Sequence, residues 1–486
     1  MKYFYTVLIL LFCSSGILIH AQGVPAWVNT TGSTGDDIGK SVAVDSVGNV
    51  YMAGTFSGSI KFGITEITSK GGKDFVVACY KSDGTVVWAK NFGGLGEEIA
   101  SSITCDATGN LTIVGSIAGN VDFGDGLVKP VGAVDGVVFR LTSLGEFVWA
   151  TRIGGASDDN AKAVVLDGLG NSYITGSFSD TLAFKGGTIP TLRSPGGTDA
   201  FLMKVNKNGD VVWAKRAGGI SYEEGLCLGY DKQGLVTMSG TFFGAITFPG
   251  GGAKDLTSVG NYDIFVAQYT KDGVPVWSQQ IGGGNEDSPR GMAVSDSGII
   301  YLTGSYSGQA IFNGSSYILR NGGMFLARYS TDGYPDWATR VGNNQSDIGN
   351  SIALDKNENV FVTGDFYGTT DFKVSNIPDL TSKGNSDAII ACYSTVGLLQ
   401  WAMRIGGDKY DNGNSISAND HGDLFVTGTF QSTAEFPGGE INNILSKGAG
   451  DIYIARYNIP KFSIVGYITF EGNPFDSVIV SDGNHS

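Results

Sequence analysis

The chain has 486 residues, 74 of them glycine, with 11% aromatic and only 16% charged residues. Its formal net charge is −15, with a pI of about 4.6. That balance repels phosphate backbones and argues against nucleic acid as a partner. A glycine-rich, aromatic, low-charge composition favours many short strands joined by tight turns.

The chain opens MKYFYTVLILLFCSSGILIHAQG. A lysine, an apolar run and a small-residue site at Ile19-His20-Ala21 predict a signal peptide over 1–21, and hence a secreted or cell-surface protein. No later stretch is long and apolar enough to span a bilayer. The four cysteines beyond this segment, Cys79, Cys105, Cys227 and Cys392, sit singly in apolar runs. They read as small buried hydrophobes rather than as a disulfide framework or a zinc site.

From Trp27 onward a unit recurs about every 60 residues, marked by Trp27, Trp88, Trp149, Trp213, Trp277, Trp337 and Trp401. Five residues after each tryptophan stands a glycine. Ten after stands an acid: Asp37, Glu98, Asp159, Glu223, Asp287, Asp347 and Asp411. Twenty-seven after stands another glycine, and thirty-five after a phenylalanine, from Phe62 to Phe436. Length varies only between that phenylalanine and the next tryptophan. A fixed period of this kind marks a repeat architecture.

Within one unit, SVAVD and NVYMAGTFS form a hairpin about the turn DSVGN. A longer loop follows, then DFVVACY, an Asp-Gly turn and VVWAKNF. These are four strands with hairpin turns between them. No segment carries a long 3.6-residue period, so helix content should be low. The expected fold is all-β: a seven-bladed β-propeller of four-stranded antiparallel blades over 22–458. The seventh unit lacks its tryptophan strand, and PAWVNTT around Trp27 is an orphan fourth strand. The N-terminal strand is therefore expected to complete the last blade and to remove an exposed edge. Residues 459–486 read as a linker and the first strands of a small β-sandwich-like module, resembling the carboxypeptidase-regulatory-like type. That segment is too short to fold alone, which points to truncation or a disrupted frame.

The segments DIGKSVAVDSVGNVYMAGTFSG and DIGNSIALDKNENVFVTGDFYG carry the pattern GGxxxDxxxxIAxDxxGNxYVTGxFxGxxxF. This resembles the secreted bacterial beta-propeller repeat (SBBP) family over roughly 27 to 458. The resemblance implies secreted or surface proteins, often from Bacteroidota-like bacteria and often with extra C-terminal β modules, and no particular reaction. Departures are local: Ser295 and Asn419 replace an aspartate eighteen after the tryptophan, and Glu358 replaces a turn glycine.

Two readings attach to the acid ten after each tryptophan. A position identical in every copy reads first as a structural one, accepting N–H bonds from its glycine turn. The functional alternative is an acidic ring at one mouth of the central channel, on the loop-rich face, able to hold Ca2+. The aspartates eighteen after, such as Asp45 and Asp106, read as turn residues. Catalytic signatures are sparse. Histidines past the leader are His421 and His485, and there is no HExxH and no GxSxG. The expectation is a non-enzymatic, monomeric module binding a protein or a glycan. Its specificity would lie in the variable loops 63–73, 185–198, 249–262 and 373–386. The competing readings are a glycosidase-like hydrolase working with two carboxylates, and a quinoprotein-like enzyme, both sited at the channel mouth.

Overall fold

A computed structural model describes residues 24–458, apart from 125, 185–188, 314–316, 371, 373–376 and 438–443, together with short strands at 464–466, 469–470, 473–474 and 478–480. The segment 1–21, read as a signal peptide, lies outside the described residues, as do parts of two variable loops.

Seven four-stranded antiparallel sheets form the blades of a β-propeller. Blade 1 is Ile38–Val44, Val50–Phe56, Asp74–Tyr80 and Val86–Phe92, from the inner strand to the outer. Its two middle strands are buried at every position. A neighbouring blade covers each of their faces, so their sequences are near-continuous apolar runs rather than alternating ones. The outer strand, with one free edge, is mostly half-buried, with only Ala89 and Phe92 buried.

Seven hydrophobic clusters exist among the described residues, and each spans two blades. Tyr51, Phe75 and Cys79 of blade 1 pack with Ile113, Val137 and Phe139 of blade 2. The same holds around the circle, and one cluster joins Phe425, Ile452, Ile454 and Trp27 to Val50 and Met52. No blade owns a core, so the interfaces carry the hydrophobic stabilisation.

The expected closure is present. Pro25–Thr31 pairs antiparallel with Asp451–Asn458, placing Trp27 opposite Arg456 and Val28 opposite Ala455. The last blade therefore runs inner to outer as Asp411–Ala418, Asp423–Phe430, Asp451–Asn458 and Pro25–Thr31.

Each tryptophan lies on an outer strand and reaches into the next blade. The indole Nε1–H of Trp27, Trp88, Trp149, Trp213, Trp277 and Trp337 donates to a carbonyl in the neighbouring Asp-Gly-type hairpin, at 2.9–3.3 Å. The turn glycine lies flat on the ring. Gly209 has φ +92°, and a Cβ there would meet the Trp149 ring at 2.9 Å. Only glycine combines that backbone conformation with that approach.

One expectation needs refinement. The long loop between the second and third strands carries a small hairpin, as in Ser59–Phe62 with Thr65–Thr68. It crosses to the preceding blade, and Ile281 and Gly282 pair with Phe312 and Ile311. The repeated phenylalanine anchors it: Phe123 stacks among Phe75, Phe92, Phe139 and Phe147. The short terminal strands pair 464–466 with 478–480 and 469–470 with 473–474.

Glu358 occupies a turn position at φ +58° where the equivalent blades have glycine, as at Gly48 and Gly109. A side chain there is strained by about 1 kcal/mol. Glu358→Gly should raise the melting temperature in calorimetry, and a fall would show that the side chain makes a compensating contact. Trp149→Ala should cost about 2–3 kcal/mol, below the range for a fully buried tryptophan because this ring is half-buried. Trp149→Phe should cost less, since only the hydrogen bond is lost. Urea titration measures both.

Candidate functional site: the acid clasps and the channel

The acid ten after each tryptophan begins the inner strand, and each of the seven is at most 1% exposed. One carboxylate oxygen accepts from the glycine-turn backbone: Gly94 N to Glu98 at 2.8 Å, Gly155 N to Asp159 at 2.6 Å and Gly407 N to Asp411 at 2.7 Å. In most copies the other oxygen accepts from the residue that ends the second strand, as from Ser57, Ser179, Ser307, Tyr367 and Gln431. The acid thus clasps the crossing between blades to the sheet it enters. None of the seven lines the channel. Their side chains lie beneath the glycine turns rather than at the mouth, and each keeps to its own turn. Among the described residues, no group of three or more His, Cys, Asp or Glu side chains is placed to hold a metal ion.

A second set of buried acids was not singled out in the sequence. Asp74, Asp135, Asp199, Asp263, Asp387 and Asp451 open the third strands and are at most 2% exposed. They fix the loop ahead of them through N–H bonds from Lys70, Val131, Val259, Lys383 and Lys447. Arg152, Arg216 and Arg404 pair with three of them at 2.6–2.7 Å. Their signal was the aspartate before each apolar third strand, blurred because the preceding loop varies in length.

The two sets face each other across the blade junctions. Burial pushes Glu98, Asp159, Asp287 and Asp411 up to about 7, and the charges of Asp74, Asp135, Asp263 and Asp387 push the same way. Burial likewise raises Glu223, next to Asp199. The buried oxygens Glu223 Oε1 and Asp199 Oδ1 have no hydrogen-bond partner, and burial pushes the Asp199 carboxyl up as well, to about 6.

The other expected turn residues behave as turn residues. Asp45 accepts from the N–H groups of Val47 and Asn49. Ser295 and Asn419 keep the same bonds, from Ile299 and Asp423. The cysteines Cys79, Cys105, Cys227 and Cys392 are free and largely buried. His421 is exposed in its hairpin turn, where its N–H donates to Asn419.

The channel, about 1220 Å3 in volume, is lined by the inner strands. Every inner strand carries a β-bulge at one register, between Gly39 and Ser41 in blade 1 and at the equivalent step in the other six. The extra residue, thirteen after the tryptophan, is Lys40, Ser101, Lys162, Leu226, Arg290, Asn350 and Asn414 in turn, and all seven line the channel. A bulge leaves one residue unpaired and re-aims its side chain. The flanking positions hold small residues in every blade, because the inner strands crowd their neighbours. A Cβ on Gly39 would meet Thr427 Oγ1 at 2.3 Å. Position thirteen thus varies freely inside a conserved frame, which is the signal that sequence reasoning passed over.

Burial holds the carboxyls of Glu98, Asp159, Glu223, Asp287, Asp347 and Asp411 protonated above their ordinary range near 4. Their contribution to stability is complete below that range and is lost as pH rises through about 6 to 8. Melting temperature should therefore fall by several degrees from pH 5.5 to 8.5. Glu223→Gln, a neutral isostere, should flatten the profile. A stability that rises with pH over this window would contradict the assignment.

Four segments, 27–55, 148–177, 276–305 and 336–369, match the model of the SBBP Beta-propeller repeat family. Each match runs from an outer strand into the next blade, so the sequence unit is out of phase with the structural one. The chain is 22% identical to an uncharacterized WD repeat-containing protein, L264, of Acanthamoeba polyphaga mimivirus, over 90% of this chain and 39% of that protein. It is 23% identical to the Regulatory protein FlaEY of Caulobacter vibrioides, over 83% of this chain and 44% of that protein. It thus spans well under half the length of these relatives. Among solved structures, the WD40 domain of Neurospora crassa Pan2 aligns with a TM-score of 0.44 at 8% identity, covering 88% of this chain and 90% of that one. The β-propeller domain of Doa1 aligns with a TM-score of 0.43 at 9% identity, covering 91% and 98%. The fold is a seven-bladed β-propeller, and four of its segments are similar to the SBBP Beta-propeller repeat.

Proposed function

We propose that this propeller is an exported binding scaffold that takes a protein partner on its loop-rich face. The observation that carries the reading is a patch where blade 3 crosses to blade 4. Tyr222 is 55% exposed and Phe243 40%, and the Phe243 N–H donates to the Tyr222 carbonyl at 3.1 Å. The Phe243 and Tyr262 rings are 5.8 Å apart, with Ile220 and Val259 exposed on the adjoining loops. Exposed aromatic and aliphatic side chains in one patch are what protein interfaces bury at their centres. Val259 and Tyr262 stand on the variable loop 249–262, and Ile220, Tyr222 and Phe243 stand at the blade crossing and strand end beside it, at positions whose residue type changes from repeat to repeat.

The WD repeat-containing relative, L264, is consistent with a protein-interaction role. Export rests on the leader pattern in 1–21. The acid ring we take as structural, since each carboxyl is used by its own turn. A hydrolase would need two carboxyls open to a substrate, whereas the facing pairs at the blade junctions are buried.

Purified protein should capture a defined partner from secreted or envelope proteins. The double variant Tyr222→Ser, Phe243→Ser, folded by circular dichroism, should lose it. A glycan array run in parallel tests the sugar-binding alternative. Capture unaffected by the double substitution would contradict the assignment to this face.

A further inference from the structure

The bulge belt is the ring that brings cationic side chains to the channel. Lys40 of blade 1, Lys162 of blade 3 and Arg290 of blade 5 project from alternate blades, so cations enter the channel from three sides. Three acids, Asp36, Glu224 and Asp365, also line it, and Asp36 pairs with Lys73 at 3.8 Å. Lys162 has a partner, Glu224, at 3.2 Å. Lys40 and Arg290 have neither a hydrogen bond nor an ion pair among the described residues, and both are exposed to the channel water.

Asp365 is the belt's other departure. Its position holds a serine or threonine in the other six blades, as at Thr55 and Ser116. Asp365 is 7% exposed and is held by the Asn350 Nδ2 group and the Gly413 N–H, each at 3.2 Å. Its carboxyl is therefore occupied by the fold and makes no ion pair with Lys40 or Arg290. Asn414 is likewise tied, its Nδ2 donating to the Gly39 carbonyl at 2.9 Å. Amides and hydroxyls hold the belt in place, and two cationic heads are left over.

Leaving like charges together in a confined channel is unfavourable. Desolvation between the channel walls, then Arg290 and Lys162, depress the Lys40 ammonium below its ordinary range although its surface meets channel water, and the charge of Asp365 opposes them. Ser101 shows that a small neutral group fits the same bulge, so the fold itself does not require the cations. An anion between the cations offsets the repulsion, and a channel with low-dielectric walls focuses the field onto it.

We propose that the channel is a ligand site in which Lys40 and Arg290 bind an oxyanion, a carboxylate or a phosphate, carried on a small polar molecule. Lys162, balanced by Glu224, borders the site. Arg290 offers a planar fork that can take two oxygens at once, and Lys40 a point charge from the opposite wall. The volume accommodates a body larger than the anion itself. Blades 6 and 7 supply Asn350, Asn412 and Asn414 along that body, and blades 1 and 2 supply hydroxyls at Ser41, Ser101 and Ser102. The site is separate from the aromatic patch on blades 3 and 4.

Isothermal titration at pH 7 and low ionic strength, with inorganic phosphate, citrate and glucuronate as separate probes, tests this. At least one probe should bind saturably with a stoichiometry near one and raise the melting temperature. Binding of phosphate alone assigns a phosphoryl ligand, and binding of citrate or glucuronate assigns a carboxylate. The variant Lys40→Gln, Arg290→Gln should weaken that binding at least tenfold, while its own ligand-free melting temperature should not fall, because the repulsion is relieved. If the double variant does not fold, Arg290→Gln alone gives the same reading. The Tyr222→Ser, Phe243→Ser protein should bind the anion unchanged, so this site and the protein-binding face fail or stand independently. Absence of saturable binding by all three probes, or binding retained by Lys40→Gln, Arg290→Gln, overturns the proposal.

Discussion

The structure depends on one contact made again at six of the seven junctions: an indole ring seated under the hairpin turn of the next blade. The tryptophan sits on the outer strand, the edge a sheet would otherwise leave open. Its ring packs on a glycine at positive φ, and its Nε1–H satisfies a carbonyl of that turn. This couples the edge of one sheet to the turn of the next, in one direction around the circle. Stability follows the junctions, because every hydrophobic cluster is shared by two blades. A single blade cannot bury its own faces, and a chain of seven left open would lack one junction. The pairing of Pro25–Thr31 with Asp451–Asn458 supplies the missing one.

Much of this was legible in the residues. The tryptophan period set the blade count, and the orphan strand at Trp27 together with the strand missing after Asn458 set the closure. Positions identical in every repeat read as parts of the frame, because identity across copies in different surroundings reports a shared local role. The glycine five after each tryptophan and the acid ten after it do meet in one turn, as Gly155 and Asp159 show.

What was not legible has two causes. Length variation between the second and third strands displaced the aspartates that open the third strand, so a register counted from the tryptophan missed Asp74, Asp135, Asp199 and their equivalents. It also hid the small hairpin within the loop, whose strands can be as short as two residues, as at Val121–Asp122. The second cause is the bulge. Strict alternation along SVAVD assigns faces by parity, and a bulge shifts that parity by one. The acid, whose alternative reading put it at the channel mouth, lies in the junction. The channel belongs to Lys40, Lys162, Arg290 and the other bulged residues, a set that has no shared chemistry and therefore no repeat signature.

The propeller thus divides its labour by position. Invariant residues close junctions and clasp crossings, the variable loops make a face, and the bulged residues furnish a channel. All of it presumes that the ring is shut by its first strand. Hydrogen–deuterium exchange on a variant lacking residues 25–31 tests that directly. Amides of Asp451–Asn458 should lose protection by at least a hundredfold relative to the intact chain, and the junction partners in Val50–Phe56 should loosen with them. Protection of Asp451–Asn458 that is unchanged by the deletion would contradict closure by the N-terminal strand.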